Sequence, residues 1–150
     1  MGSSTAAGTT IGISAAAPAT QDAAGYGALV LTEIGGVESI GAIGANTAKT
    51  DFQPLKGPKQ KHKGSTDYGS LQPAIAHDDN DAGQNLVRVA SGPTNNAQYS
   101  FGVTYPNGEK RYFQGRVFGY PENVGNADAI IMANPTIEIN TIIVKVAAPA

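Results

Sequence analysis

His62 and His77 are the only histidines in this 150-residue chain, and cysteine is absent. A thiolate metal site and a disulfide framework are both excluded, and a metal site would need both histidines together with acids. The run His77-Asp78-Asp79-Asn80-Asp81 has the composition of a cation loop. It fails the EF-hand spacing, which requires Gly at position 6 and Glu at position 12. Counted from Asp79, those positions hold Gln84 and Ala90. The acids read better as the charged start of a helix, where the dipole favours carboxylates. Serines, histidines and aspartates occur, but without a Gly-x-Ser-x-Gly elbow. A Walker-type phosphate loop is also missing. Gly102, Gly115 and Gly119 sit in strand-like stretches, where glycine permits close backbone approach rather than cradling phosphate. The sequence assigns no catalytic residue, no metal ligand and no cofactor.

Charge carries more information. Residues 49–63 hold Lys49, Lys56, Lys59, Lys61 and Lys63 against a single acid, Asp51, a net of +4. The other 135 residues hold five bases and eleven acids, a net of −6, so the chain total of −2 hides a basic segment on an acidic body. Such a run can neutralise phosphates. It lacks interleaved aromatics for stacking single-stranded bases, the nearest being Phe52 and Tyr68. A solvated loop, a loop docked on an acidic surface of an identical subunit, and a phosphate or lipid-headgroup contact all stay open. The charge split favours the second, with the five lysines as inter-subunit contacts.

The elements that must position this segment are mostly strands. The centre is Gln98–Pro121, a hairpin. Tyr99, Phe101, Val103 and Tyr105 alternate with small or polar residues, the period of a half-buried strand. Pro106-Asn107-Gly108-Glu109 is the turn, and Asn-Gly suits a primed turn. The return strand, Arg111 to Tyr120, carries Phe113 and Val117 on one parity and Tyr112, Gln114, Arg116, Phe118 and Tyr120 on the other. Bulk on both faces calls for a second cover, from another element or another subunit. Earlier strands are expected within 5–17, at Ala28–Ile34 and at Val37–Ile43, with Ala19–Gly27 as a connection. Gly44–Asp78 reads as a long loop whose basic middle is either an extended β-ribbon arm or a mobile loop, disordered in a free monomer for want of apolar anchors. Asp78–Gly92 is the helix, about 79–91, with Asp81 as N-cap, Gln84 completing a capping box, and Ala82, Leu86, Val89 and Ala90 on its apolar face. Glu122–Asp128 is a polar loop. In Ala129–Val146 the apolar parity shifts near Asn140-Thr141, as a β-bulge would require.

The sum is a mainly β chain of six to eight strands: an antiparallel sandwich or barrel with one short α-helix and a long loop or β-arm, in one domain spanning 1–150. Charged residues make up only 15% and glycine 19 of 150, which suits a β-domain whose surface is covered by copies of itself. No apolar run approaches a membrane span, and the first residues lack a signal-peptide pattern. Absence of cysteine suits a reducing compartment.

A resemblance runs through about residues 10–145. It is carried by Gly12-Ile13-Ser14, Pro18-Ala19-Thr20, Gly25-Tyr26, Glu33-Ile34-Gly35-Gly36-Val37 and Lys63-Gly64-Ser65-Thr66-Asp67-Tyr68-Gly69. It continues in Tyr99-Ser100-Phe101, Tyr105-Pro106-Asn107-Gly108-Glu109 and Phe113-Gln114-Gly115-Arg116-Val117. In order and spacing these segments resemble the major tail tube proteins of long, non-contractile-tailed bacteriophages. The resemblance implies a non-enzymatic virion protein, assembled in the host cytoplasm. Hexameric rings would join neighbouring sheets into an inner barrel and stack into a tube, bridged by long loops and termini. It implies a tape-measure protein inside, terminator and distal tail proteins at the ends, genomic DNA passing without specific binding, and no membrane. Tubes of contractile tails and secretion machines share the fold, so fold alone does not fix the system. The alternative is a monomeric β-sandwich binding module, for carbohydrate for example, or a capsid-decoration module. A carbohydrate binder would present a planar aromatic row, and this chain has no Trp.

Overall fold

Alternation of apolar with small or polar residues becomes strand pairing throughout the structure, a computed structural model that describes residues 3–149. In chain order the strands are β1 (Thr10–Ser14), β2 (Thr32–Glu33), β3 (Val37–Ser39), β4 (Asn46–Phe52), β5 (Gln60–Asp67), β6 (Ser70–Leu71) and β7 (Ala74–Ala76). They continue as β8 (Tyr99–Thr104), β9 (Lys110–Gly119), β10 (Glu122–Asn123), β11 (Met132–Ala133), β12 (Thr136–Ile139) and β13 (Val144–Val146). Helices are α1 (Ala23–Gly27) and α2 (Ala82–Ala90). The main sheet runs β2-β1-β8-β9-β12-β6, with β13 also paired to β9; a smaller sheet runs β10-β11-β7-β3; β4 and β5 form a separate ribbon. Every pairing is antiparallel. The fold is mainly β and sandwich-like, as the sequence indicates.

The core lies between the main sheet and a layer made by α2 and the smaller sheet. Ile11, Ile13, Phe101, Val103, Phe113 and Ile137 supply the main-sheet side, and Ile75, Val87 and Ala90 the other. Phe101 and Phe113, opposite each other across β8 and β9, stack at 5.5 Å and are fully buried. Burial of each is worth about 1.5–3 kcal/mol.

The second face of the main sheet is covered by the chain itself around Tyr112 and Gln114, while Phe118 stays exposed. Residues 19–27, expected as a plain connection, contain α1, which carries Tyr26. Asp22 N-caps this turn, accepting from the Gly25 amide at 2.8 Å. Tyr26 stacks on Tyr112 at 5.2 Å with the rings 2° from parallel. Gln21 donates from Nε2 to Gln114 Oε1 at 2.7 Å and accepts from the Tyr26 hydroxyl at 2.9 Å. These contacts answer part of the bulk on the second face of β9, at Tyr112 and Gln114. Glycine at 102 makes room here, since a Cβ would sit 2.6 Å from Leu31 Cδ1 and 2.9 Å from Tyr112 Cε1 and push both side chains aside. Leu31 lies across this face, which helps to explain why the expected strand Ala28–Ile34 shrinks to β2.

Several expectations need correction. The hairpin turn is not a primed turn: among the described residues only glycines have positive φ, including Gly108 at +96°. The Gly108 amide donates to the Tyr105 carbonyl and the Tyr105 amide to the Glu109 carbonyl, a three-residue loop ending in a left-handed glycine. The expected strand Val37–Ile43 is reduced to β3. The expected loop Gly44–Asp78 contains four strands, and Leu71 and Ile75 are fully buried. On α2 the buried face is Gly83, Gln84, Val87 and Ala90, while Val89 is 59% exposed. A bulge does occur in β9, where Thr136 faces Gly119 but Ile137 faces Val117, throwing Phe118 outward. Near Asn140-Thr141 the chain leaves β9 and returns as β13 opposite Tyr112. The parity shift therefore moves the apolar residues to the α1 side of the sheet.

Candidate functional site

The ribbon β4–β5 is built by alternation but packs no core. Every residue of both strands is exposed. An isolated two-stranded ribbon is marginal in water. Asn46 pairs with Asp67 at the root and Phe52 with Gln60 near the tip. Six strand steps separate them, so the ribbon reaches roughly 20 Å before its turn.

The register puts the lysines together. Between the Thr47–Thr66 and Lys49–Lys63 pairs, Gly64 and Ser65 oppose Ala48, a bulge that shifts the alignment by one. Beyond it Lys49 faces Lys63 and Asp51 faces Lys61. These four side chains share one face, because alternate residues point the same way. Lys59 joins them through its 3.8 Å ion pair with Asp51, which also lies 3.7 Å from Lys49. Two lysines thus pair with one carboxylate, and Lys61 and Lys63 share its face. Exposed pairs of this kind are worth about 0–1 kcal/mol and do not hold the ribbon together. Lys49 directly opposite Lys63 is unfavourable for an isolated ribbon. Among the described residues Lys56, Lys61 and Lys63 make no ion pair. The opposite face carries Thr50, Phe52, Gln60 and His62.

Lys56 lies in the tip, residues 53–59, between Leu55 and Gly57. Gln53 Nε2 closes the tip by donating to the Pro54 carbonyl at 3.0 Å and the Gly57 carbonyl at 3.2 Å. Gly57 adopts φ +122°, which an L side chain rarely tolerates. Leu55 is fully exposed and Phe52 is 54% exposed.

The histidines are not brought together. His62 stands on the ribbon, and His77 follows β7, with Nδ1 3.5 Å from Glu122 Oε2 and 3.4 Å from the Tyr120 hydroxyl. Arg88 donates to the Tyr120 hydroxyl at 3.0 Å. Burial pushes the Tyr120 phenol pKa up, opposed by the Arg88 charge. Gln84 and Arg88 make this cluster a brace between α2 and the sheets. Asp81 accepts from the amides of Gln84 and Gly35, as a helix cap that also ties a neighbouring loop. Among the described residues no group of three or more His, Cys, Asp or Glu side chains could hold a metal ion. No helix among them is long and apolar enough to cross a membrane.

A groove of about 550 Å³ opens at the ribbon root, lined by Val37, Glu38, Ser39, Ile40, Ile43 and Tyr105 among others. The lysines are visible in the sequence, but their shared face is not. The signal was present in their odd numbers, 49, 59, 61 and 63, which become one face once the segment is a strand. The exposed tip and the groove had no sequence signal of their own. No protein-family model matches the chain, and no curated protein matches it.

Proposed function

We propose that this chain is a structural virion protein, the subunit of a phage tail tube. Copies form hexameric rings that stack into a conduit for DNA ejection. The observation that carries this is the fully exposed basic ribbon, whose lysine face lacks a covering surface on its own body. Exposed like charges and apolar groups on a projecting arm suit an interface with another copy, and the acidic body supplies the opposite charge. A projecting arm that meets a different surface on an identical copy makes a heterologous contact, which builds open stacks. An acidic body also suits a lumen through which DNA slides, because like charge prevents adhesion. The sequence resemblance adds the remaining partners: tape-measure, terminator and distal tail proteins, in a tail assembled in the host cytoplasm. The ribbon is an assembly device, and the chain works without catalysis.

Replacing residues 47–66 by a tight Asn-Gly turn tests this, because Asn46 and Asp67 are already paired. The shortened chain is expected to keep a cooperative thermal melt and to form no tubes where the full chain does. Equal tube formation by both chains would overturn the role given to the ribbon.

A further inference from the structure

The ribbon tip and the groove at the ribbon root are complementary. Leu55 leads the tip with no intrachain cover, beside Lys56 and the ring of Pro54. The groove presents Val37, Ile40, Ile43 and Tyr105 as apolar walls, with Glu38 and Ser39 exposed at its rim. Glu38 makes no ion pair among the described residues. The one guanidinium near the groove, Arg111, lies 4.8 Å over the Tyr105 ring and is paired with Glu109 at 3.2 Å. The groove therefore keeps an acidic rim for an incoming lysine. Its wall strand, β3, pairs only with β7 and lies at the edge of its sheet. An open edge beside a groove with apolar walls and a polar rim is a surface that proteins cover.

We infer that Leu55 of one copy seats in the groove of a second copy, with Lys56 against Glu38. This rests on the tube reading and names the partner surface of the ribbon. A chain cannot fill its own groove in this way. Ile43 stands three residues before the root, and the extended ribbon holds the tip roughly 20 Å beyond it. The occupant is therefore another copy, displaced by about one ribbon length. Each copy then offers one tip and one groove, so the contact repeats along the stack.

Because the chain has no cysteine, a disulfide can report the contact without background. Leu55→Cys and Ser39→Cys are made in separate chains, both at exposed positions, and the two are mixed, assembled and mildly oxidised. The expected product is a mixed disulfide joining the two chains, lost when assembly is prevented by ribbon replacement. As a second readout, Leu55→Asp is expected to abolish tubes while leaving the melting temperature unchanged. Tubes that form without the mixed disulfide and tolerate Leu55→Asp would overturn the tip-to-groove contact while leaving the tube reading intact. A Leu55–Leu55 position disulfide in preference to the mixed one would overturn it in favour of tip-to-tip pairing. A full chain that never assembles would overturn both. Retention of duplex DNA by the ribbon, lost in Leu55→Asp, would overturn it in favour of a nucleic-acid contact.

Discussion

Reversing Lys56, Lys59, Lys61 and Lys63 to Glu is expected to abolish tubes while the β-domain stays folded. Four reversals shift the net charge by eight units, from −2 to −10, and convert the basic segment to an acidic one. The ribbon would then face an acidic body in every copy of the stack. A single pair of charges at 4 Å is worth about 1 kcal/mol in bulk water, and more beside a protein surface. On the tube reading, the sign of several such pairs would change at each contact, and the contact would recur with every subunit. Folding should be nearly untouched, because ribbon side chains are exposed and surface substitutions usually stay within about 0.5 kcal/mol. Electron microscopy of negatively stained protein reads the first effect and a thermal melt the second. Normal tubes from the reversed chain would rule out an electrostatic role for the ribbon. Salt provides the sign check in the native chain: screening over about 8 Å at physiological ionic strength should loosen tubes as salt rises.

The largest effect on stability is expected at Gln84. Its side chain is fully buried and uses its whole hydrogen-bonding capacity. Nε2 donates to the Gly35 carbonyl at 2.8 Å and the Ala76 carbonyl at 3.0 Å. Oε1 accepts from the Asp78 amide at 2.9 Å and the Tyr120 hydroxyl at 3.2 Å. One side chain thus joins α2 to the loop after β2, to β7 and to the end of the central hairpin. Gln84→Ala removes all four bonds and leaves a cavity, at a cost of about 3–5 kcal/mol. In a chain of this length that corresponds to a fall of roughly 10 °C in Tm. A loss below about 1 kcal/mol in denaturant unfolding would show that water or repacking replaces the network.

Gln84 also shows how far the sequence can be read. Its spacing from Asp81 suggests a capping box, and Asp81 does cap α2 through the Gln84 amide. The Gln84 side chain goes elsewhere, because burial against β7 and the loop after β2 offers it three elements to join. That choice depends on tertiary neighbours, as does the rotation of α2 that buries Val87 and exposes Val89. The central hairpin was legible because Phe101, Val103 and Phe113 alternate over long strands. The smaller sheet was not, because β3, β7, β10 and β11 contribute two or three residues each, too few to show a period. The second cover of β9 was foreseen, but not its source, since α1 is one short turn whose contribution rests on Tyr26 alone meeting Tyr112. The ribbon has strand alternation without an apolar face, so hydrophobic periodicity is silent there. Its charges were visible in the sequence, and their common face became visible only with the register.

The most direct test of the tube reading is electron microscopy of the purified, unmodified chain across a rising concentration series. Hollow tubes roughly 100 Å wide, built of stacked rings with sixfold symmetry, are expected by analogy with the fold class. A single monomeric species at every concentration up to the solubility limit would contradict the account.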